Sequence, residues 1–143
     1  MKTVLQLIIP VVALAGGAVA LALSGGCGSN APLPGPATVR GKLLLNGQPV
    51  AGGLVVFTPH PERGRHGKSA YGETGSDGSY TLQLEKANAI PAGWYRVSLS
   101  PAPAVTASVT FPAKLSRPDL SGIEREVQVG KEHVFEFEVA VKE

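Results

Sequence analysis

Phe135-Glu136-Phe137-Glu138-Val139-Ala140-Val141 puts an apolar side chain at every second position from Phe135 and mainly glutamate between them. Successive side chains of an extended strand point to opposite faces, so a period of two buries one row and wets the other. A helix would instead need apolar residues at i, i+3, i+4 and i+7. The preceding run, Ile123-Glu124-Arg125-Glu126-Val127-Gln128-Val129, repeats the alternation, and Gly130 between the two runs predicts a C-terminal hairpin. Further back, Tyr95, Val97 and Leu99 alternate with polar residues. So do Tyr80, Leu82 and Leu84, with Thr81, Gln83 and Glu85 between them, behind a tight turn at Asp77-Gly78. Val39, Gly41, Leu43 and Leu45 share one face of a first strand that ends at Asn46-Gly47, a dipeptide suited to the positive φ angles of a hairpin turn. Leu54 to Phe57 is predicted to run back from that turn. No window after residue 37 carries a helical period over helical length.

Six or seven short strands separated by Gly, Pro, Asn and Asp turns predict an all-β fold, a single antiparallel β-sandwich, with a closed barrel as second choice. Glu124, Glu126, Glu136 and Glu138 fall on the faces opposite the apolar rows. They are expected in solvent, where like charges discourage edge-to-edge strand pairing.

The N-terminus has a different character. Val4 to Leu23 contains no charged residue, Lys2 supplies a short positive region, and Ser24, Gly25 and Gly26 lead into Cys27, the one cysteine of the chain. These are the three parts of an export signal, and the exit resembles the lipobox of bacterial lipoproteins, with Leu23 one position further from Cys27 than usual. The resemblance implies cleavage before Cys27 and lipidation of its thiol, so residues 1–26 read as a signal peptide. An uncleaved transmembrane helix is the competing reading, since about 20 apolar residues suffice to span a bilayer, although Pro10 and Gly16-Gly17 weaken such a helix. Both readings tether the chain to a membrane. Gly28 follows Cys27 where some bacteria use aspartate to retain lipoproteins in the inner membrane, so the outer membrane is the preferred address.

Residues 27–36, dense in Gly and Pro, read as a short extended tether. Residues 37–143 then form one domain, a usual size for a single sandwich. A lone cysteine excludes an intrachain disulfide. Removing Lys2 from the 13 basic residues leaves 12 against 11 acidic ones, a balance that argues against nucleic-acid binding.

The order of several short segments resembles the carboxypeptidase regulatory-like, or transthyretin-like, Greek-key β-sandwich of small bacterial lipoproteins, over nearly all of residues 38–141. The segments are Val39 to Val50, Val55-Val56-Phe57-Thr58-Pro59, Gly75-Ser76-Asp77-Gly78-Ser79-Tyr80, and Pro91 to Val97, followed by Phe111-Pro112-Ala113-Lys114 and Leu120-Ser121-Gly122. Gly75 departs from the family, where an aspartate is frequent. The resemblance is to a noncatalytic module, and it implies no cofactor. The residues agree. His60-Pro61-Glu62 has the wrong spacing for the zinc motif of metallocarboxypeptidases, His-Glu-x-x-His is absent, the C-terminus lacks the Tyr-Arg-Gly-Ser ending of the related purine-product hydrolases, and Ser121 has no evident activating partner.

Two candidate recognition surfaces remain. In the loop from Pro59 to Ser69, Arg63, Arg65, His66 and Lys68 gather among glycines, a composition able to grip an anionic glycan or headgroup. In Trp94-Tyr95-Arg96 the two aromatics face opposite ways on a strand, and aromatic faces stack on sugars. Plain structural roles, a solvated loop and a core-packed aromatic pair, compete with both. His133 reads as a surface residue. The leading expectation is a noncatalytic, lipid-anchored envelope module that binds a protein partner or serves structurally. The alternative is a carbohydrate-binding module built on Trp94 or Tyr95 and the basic loop.

Overall fold

The protein is described by a computed structural model covering residues 36–103 and 110–142. The apolar run, Cys27 and the tether up to residue 35 lie outside the described residues. Among those described, no helix is long and apolar enough to cross a membrane.

Among the described residues, eight strands form two sheets: β1 (Thr38–Leu45), β2 (Gln48–Pro49), β3 (Gly53–Pro59), β4 (Ala70–Glu73), β5 (Ser79–Thr81), β6 (Gly93–Pro101), β7 (Ile123–Val127) and β8 (Glu132–Val139). In the first sheet, β1 pairs antiparallel with β2 and β5 along one edge and parallel with β8 along the other. The second sheet has the antiparallel order β4-β3-β6-β7. The inner rows expected from the alternation meet between the sheets: Val39 and Leu43 from β1, Phe137 and Val139 from β8, Val55 and Phe57 from β3, and Tyr95, Val97 and Leu99 from β6. Phe57 links the layers, its ring centroid 5.8 Å from that of Tyr95, 6.0 Å from Phe135 and 6.2 Å from Phe137. The fold is thus the all-β sandwich read from the alternation, although β1 and β8 pair in parallel where an antiparallel sandwich was expected.

Strand partnership departs from expectation twice. Asn46 (φ 48°) and Gly47 (φ 79°) do form the tight turn after β1, but the returning strand is only Gln48–Pro49, and residues 54–57 lie in the other sheet. The chain changes sheets at Val50 to Gly53, where the buried Thr74 hydroxyl donates to the Val50 carbonyl and accepts from the Gly53 N–H at 2.7 Å. The expected C-terminal hairpin is absent as well: β7 pairs with β6, and β8 pairs with β1. Alternation dictates which face is buried but not which strand lies alongside. On β1, the exposed Arg40 and Lys42 stand opposite Val134 and Glu136 of β8, and Arg40 pairs with Glu132. Glu132 and Glu136 of β8 therefore find cations on β1, while Glu138 stands opposite Leu44; a β7–β8 hairpin would place two glutamate-bearing faces together. Val129, read with the buried row, is 51 % exposed because β7 ends at Val127 and the chain turns there.

Gly41 makes the parallel pair possible. It faces the core between Tyr80 of β5 and Phe135 of β8, and a Cβ there would lie 1.8 Å from the Phe135 carbonyl oxygen. The space admits the buried Tyr80 ring, whose hydroxyl donates to that carbonyl at 2.7 Å. Burial pushes the Tyr80 phenol well above its usual range, with the nearby Arg125 charge pulling weakly the other way. Arg125 falls on the inner row, as its place in the alternation implied. Its guanidinium lies 5.8 Å and 5.2 Å from the ring centroids of Phe135 and Phe137.

Candidate functional site

The basic loop starts where β3 ends at Pro59. His60 precedes a one-turn 3-10 helix (Pro61–Arg63), and Gly64 closes that helix in the left-handed conformation (φ 71°). The backbone of His60 anchors the loop, its N–H donating to the Trp94 carbonyl at 3.0 Å and its carbonyl accepting from the N–H groups of Arg63 and Arg65. Its side chain is 3 % exposed, and ring Nε2 lies 2.9 Å from Oε1 of Glu124 on β7. A proton on Nε2 donating to that carboxylate fits the pair, and it leaves Nδ1 buried without a partner among the described residues.

Arg63 completes a clasp around the same carboxylate. Its guanidinium donates to the other Glu124 oxygen at 3.0 Å and lies 4.0 Å from the Trp94 ring centroid, a cation–π arrangement. The hydrogen bond to His60 holds the Glu124 carboxyl below the usual range. Partial burial opposes this, and the charges of Arg63, His60 and Arg96 reinforce it. Arg65 packs its stem over Gly93, where a Cβ would meet its Cδ at 2.7 Å, and donates to the Tyr95 hydroxyl at 3.2 Å. That hydroxyl donates in turn to the Pro91 carbonyl at 2.6 Å. Arg96 and Glu62 add an ion pair at 3.2 Å.

The structure thus unites the two surfaces that the sequence suggested separately, and their side chains bond to one another, with Nε of Arg65 and Nδ1 of His60 buried without a partner among the described residues. Arg63 covers one face of the half-buried Trp94. Tyr95 is 1 % exposed and presents no face to solvent, so a stacking platform there is excluded. Lys68 stands apart, paired with Glu85 at the surface, and His66 is exposed. Glu124, expected to be solvated like Glu126, is instead the centre of the clasp, because the bend after Pro59 delivers His60 and Arg63 to it. His133 closes the turn before β8, its Nε2 accepting from the Gln128 N–H at 2.9 Å, and the Ser121 hydroxyl oxygen accepts from the Ile123 N–H. No three of His, Cys, Asp and Glu come together as metal ligands among the described residues.

A second feature lies across the outer face of the first sheet. A groove of about 790 Å³ is lined by Val134 and Glu136 from β8, Arg40 and Lys42 from β1, Ser79 and Thr81 from β5, and Tyr71 and Glu73 from β4, with Gln83 beside them. Its β4 end is joined by paired backbone hydrogen bonds between Tyr71 and Gln83 at 3.0 and 2.8 Å. The join requires Gly72, where a Cβ would lie 2.6 Å from the Thr81 carbonyl oxygen. Tyr71 is 49 % exposed and Val134 61 %. Nothing in the hydrophobic alternation marks this groove. The available signal was one aromatic, Tyr71, in the polar phase of Ala70-Tyr71-Gly72-Glu73.

No family model and no curated protein matches the chain. Among solved structures, the Bacillus anthracis TIE protein matches at 18 % identity and a TM-score of 0.43, over 74 % of this chain and 16 % of its own. The dioxygenase domain of a dioxygenase carbohydrate-binding protein fusion from the cellulolytic bacterium Streptomyces sp. SirexAA-E matches at 25 % identity and a TM-score of 0.40, over 76 % of this chain and 81 % of its own. The chain therefore spans a small fraction of the first of these proteins and most of the length of the second.

Proposed function

We propose that this chain is a noncatalytic, membrane-tethered binding module of the cell envelope. The apolar run and the small residues before Cys27 support lipidation at that thiol. Two or three acyl chains, at about 0.8 kcal/mol per buried methylene, anchor a protein stably where one is marginal. Residues 27–36 then act as the spacer between bilayer and sandwich. The order of segments resembling the carboxypeptidase regulatory-like family supports a module of this kind.

The observation that carries the binding reading is the contrast between the two surfaces. The side chains best suited to chemistry, His60, Glu124, Arg63, Arg65 and Tyr95, are tied to one another in the clasp, and the two nitrogens left without a partner among the described residues, Nδ1 of His60 and Nε of Arg65, are buried. The broad polar groove across the first sheet leaves Lys42, Tyr71, Glu73, Thr81, Gln83 and Glu136 exposed, with Arg40 paired to Glu132 beside it. A general base needs a reacting proton within reach, and with Nε2 of His60 on the Glu124 carboxylate the nitrogen left for that role, Nδ1, is buried. A carbohydrate-binding role stays as the second reading, with Tyr71 replacing Trp94 and Tyr95 as its aromatic.

Metabolic labelling with a clickable palmitate analogue, followed by fractionation, tests the tether. The expected result is acyl label in the membrane fraction that disappears in Cys27→Ser. Equal labelling of the variant, or an unlabelled wild-type chain, would refute lipidation at Cys27.

A further inference from the structure

We infer that the groove across β8, β1, β5 and β4 is a binding site for an uncharged oligosaccharide chain. The inference rests on the reading of the protein as a noncatalytic binding module and adds the ligand class and the surface.

Charge selects the class first. The lining carries two cations, Arg40 and Lys42, and two carboxylates, Glu73 and Glu136. An anionic polymer would meet as much repulsion as attraction, and so would a cationic one. Sugar hydroxyls both donate and accept. They suit a surface that alternates ammonium and guanidinium donors, carboxylate acceptors, and the mixed groups of Ser79, Thr81 and Gln83. Tyr71 supplies the half-exposed ring on which the C–H face of a pyranose packs.

Shape argues the same way. β8, β1 and β5 lie side by side, and the Tyr71–Gln83 bridge carries the surface on to β4 of the other sheet; at about 4.8 Å per step the path is about 15 Å, longer than one sugar, and the volume lies within the usual range of about 300–1,000 Å³ for ligand sites. An extended peptide is the main competitor, and it binds sheets chiefly by adding to a free backbone edge. The middle of the floor offers none: β1 is paired along both edges, and the chain through β5 bonds β1 and then, at Gln83, β4. The outer edge of β8 has no partner strand among the described residues, so a peptide would add along that rim and not across the floor. Tyr71 and Val134 are the exposed large apolar side chains of the lining, Tyr80 being buried beneath it, too few for an apolar peptide pocket.

The test is calorimetric titration of the full-length, detergent-solubilised protein. The probes are hexamers of β-1,4-linked glucose, β-1,4-linked N-acetylglucosamine and β-1,4-linked mannose, with a heparin hexasaccharide as the acidic comparison. At least one neutral hexamer is expected to bind, and more tightly than the heparin fragment. Tyr71→Ala should weaken it about tenfold or more at an unchanged melting temperature, while Trp94→Ala leaves the affinity unaltered. The pattern among the three hexamers separates amide-bearing wall-type glycans from plain hexose polymers. No neutral hexamer bound at millimolar concentration, tighter binding of heparin, or full affinity in Tyr71→Ala would each overturn the inference. Mass spectrometry of the recovered sugar separates the two readings: a shortened hexamer would overturn the noncatalytic reading while leaving the groove as its site.

Discussion

Replacing Gly41 by alanine probes the least expected feature of the fold, the parallel pairing of β1 with β8. The added methyl would sit 1.8 Å from the Phe135 carbonyl oxygen and 3.0 Å from the Tyr80 hydroxyl. The first contact is with backbone, so no rotamer change relieves it, and β8 must move away from β1. Overpacking a tight interior costs about 1–3 kcal/mol. Displacing the Phe135 carbonyl from the Tyr80 hydroxyl adds about 1 kcal/mol for the broken hydrogen bond. A total of about 3 kcal/mol is a large share of the ~5–15 kcal/mol that stabilises an ordinary domain. At about 4–8 °C per kcal/mol for this size, the melting temperature should fall by about 12–24 °C. Urea unfolding of a chain begun at Gly28, followed by Trp94 fluorescence, measures the loss. Tyr80→Phe alone should cost about 1 kcal/mol. Thr38→Ala, at an exposed position on the same strand, is expected to change little. A loss below about 1 kcal/mol for Gly41→Ala would show that β8 does not lie against β1 at this register.

Three further outcomes follow from the clasp and the anchor. Arg63→Ala should uncover one face of Trp94, the single tryptophan, raising its quenching by acrylamide and shifting its emission to the red; unchanged quenching would place Arg63 elsewhere. Glu124 is held below the usual carboxylate range in the folded protein, so the unfolded chain takes up the proton first. The clasp's stabilisation is then fully present above about pH 4.3 and is lost as pH falls further, through the folded value. Glu124→Gln should remove that part of an acid titration followed at Trp94, and an identical acid profile for the variant would exclude Glu124 as its source. Cys27→Ser is expected to leave the unfolding curve of the sandwich unaltered while abolishing acylation; intact-mass analysis and urea unfolding check the two halves of that statement.

The inner rows were legible because burial of one face imposes a period of two, and Val39, Leu43, Tyr80, Val97, Phe137 and Val139 all fall where that period places them. The tight turn at Asn46-Gly47 was legible because few residue pairs accept positive φ at both positions. Strand partnership was not. Ile123 to Val127 and Phe135 to Val139 look like a hairpin because they are adjacent in sequence, yet their partners, β6 and β1, are set by charges and cavities contributed from distant residues. The clasp was half visible: Arg63, Arg65, Trp94 and Tyr95 stood out by type, but Glu124 looked like any outward glutamate of a strand. Only the bend at His60 makes it a partner. Tyr71 escaped notice because one aromatic in a four-residue strand carries no pattern, and its exposure depends on where β4 meets Gln83.

Mapping of backbone amide shifts during titration with the N-acetylglucosamine, glucose and mannose hexamers tests most directly whether the groove, and not the clasp, is the working surface. The expected result is a contiguous set of shifted amides at Arg40 to Lys42, Tyr71 to Glu73 and Ser79 to Gln83, with His60, Arg63, Trp94 and Glu124 unmoved. Shifts centred on Trp94 and the 60–69 loop, or a spectrum that none of the sugars alters, would contradict it.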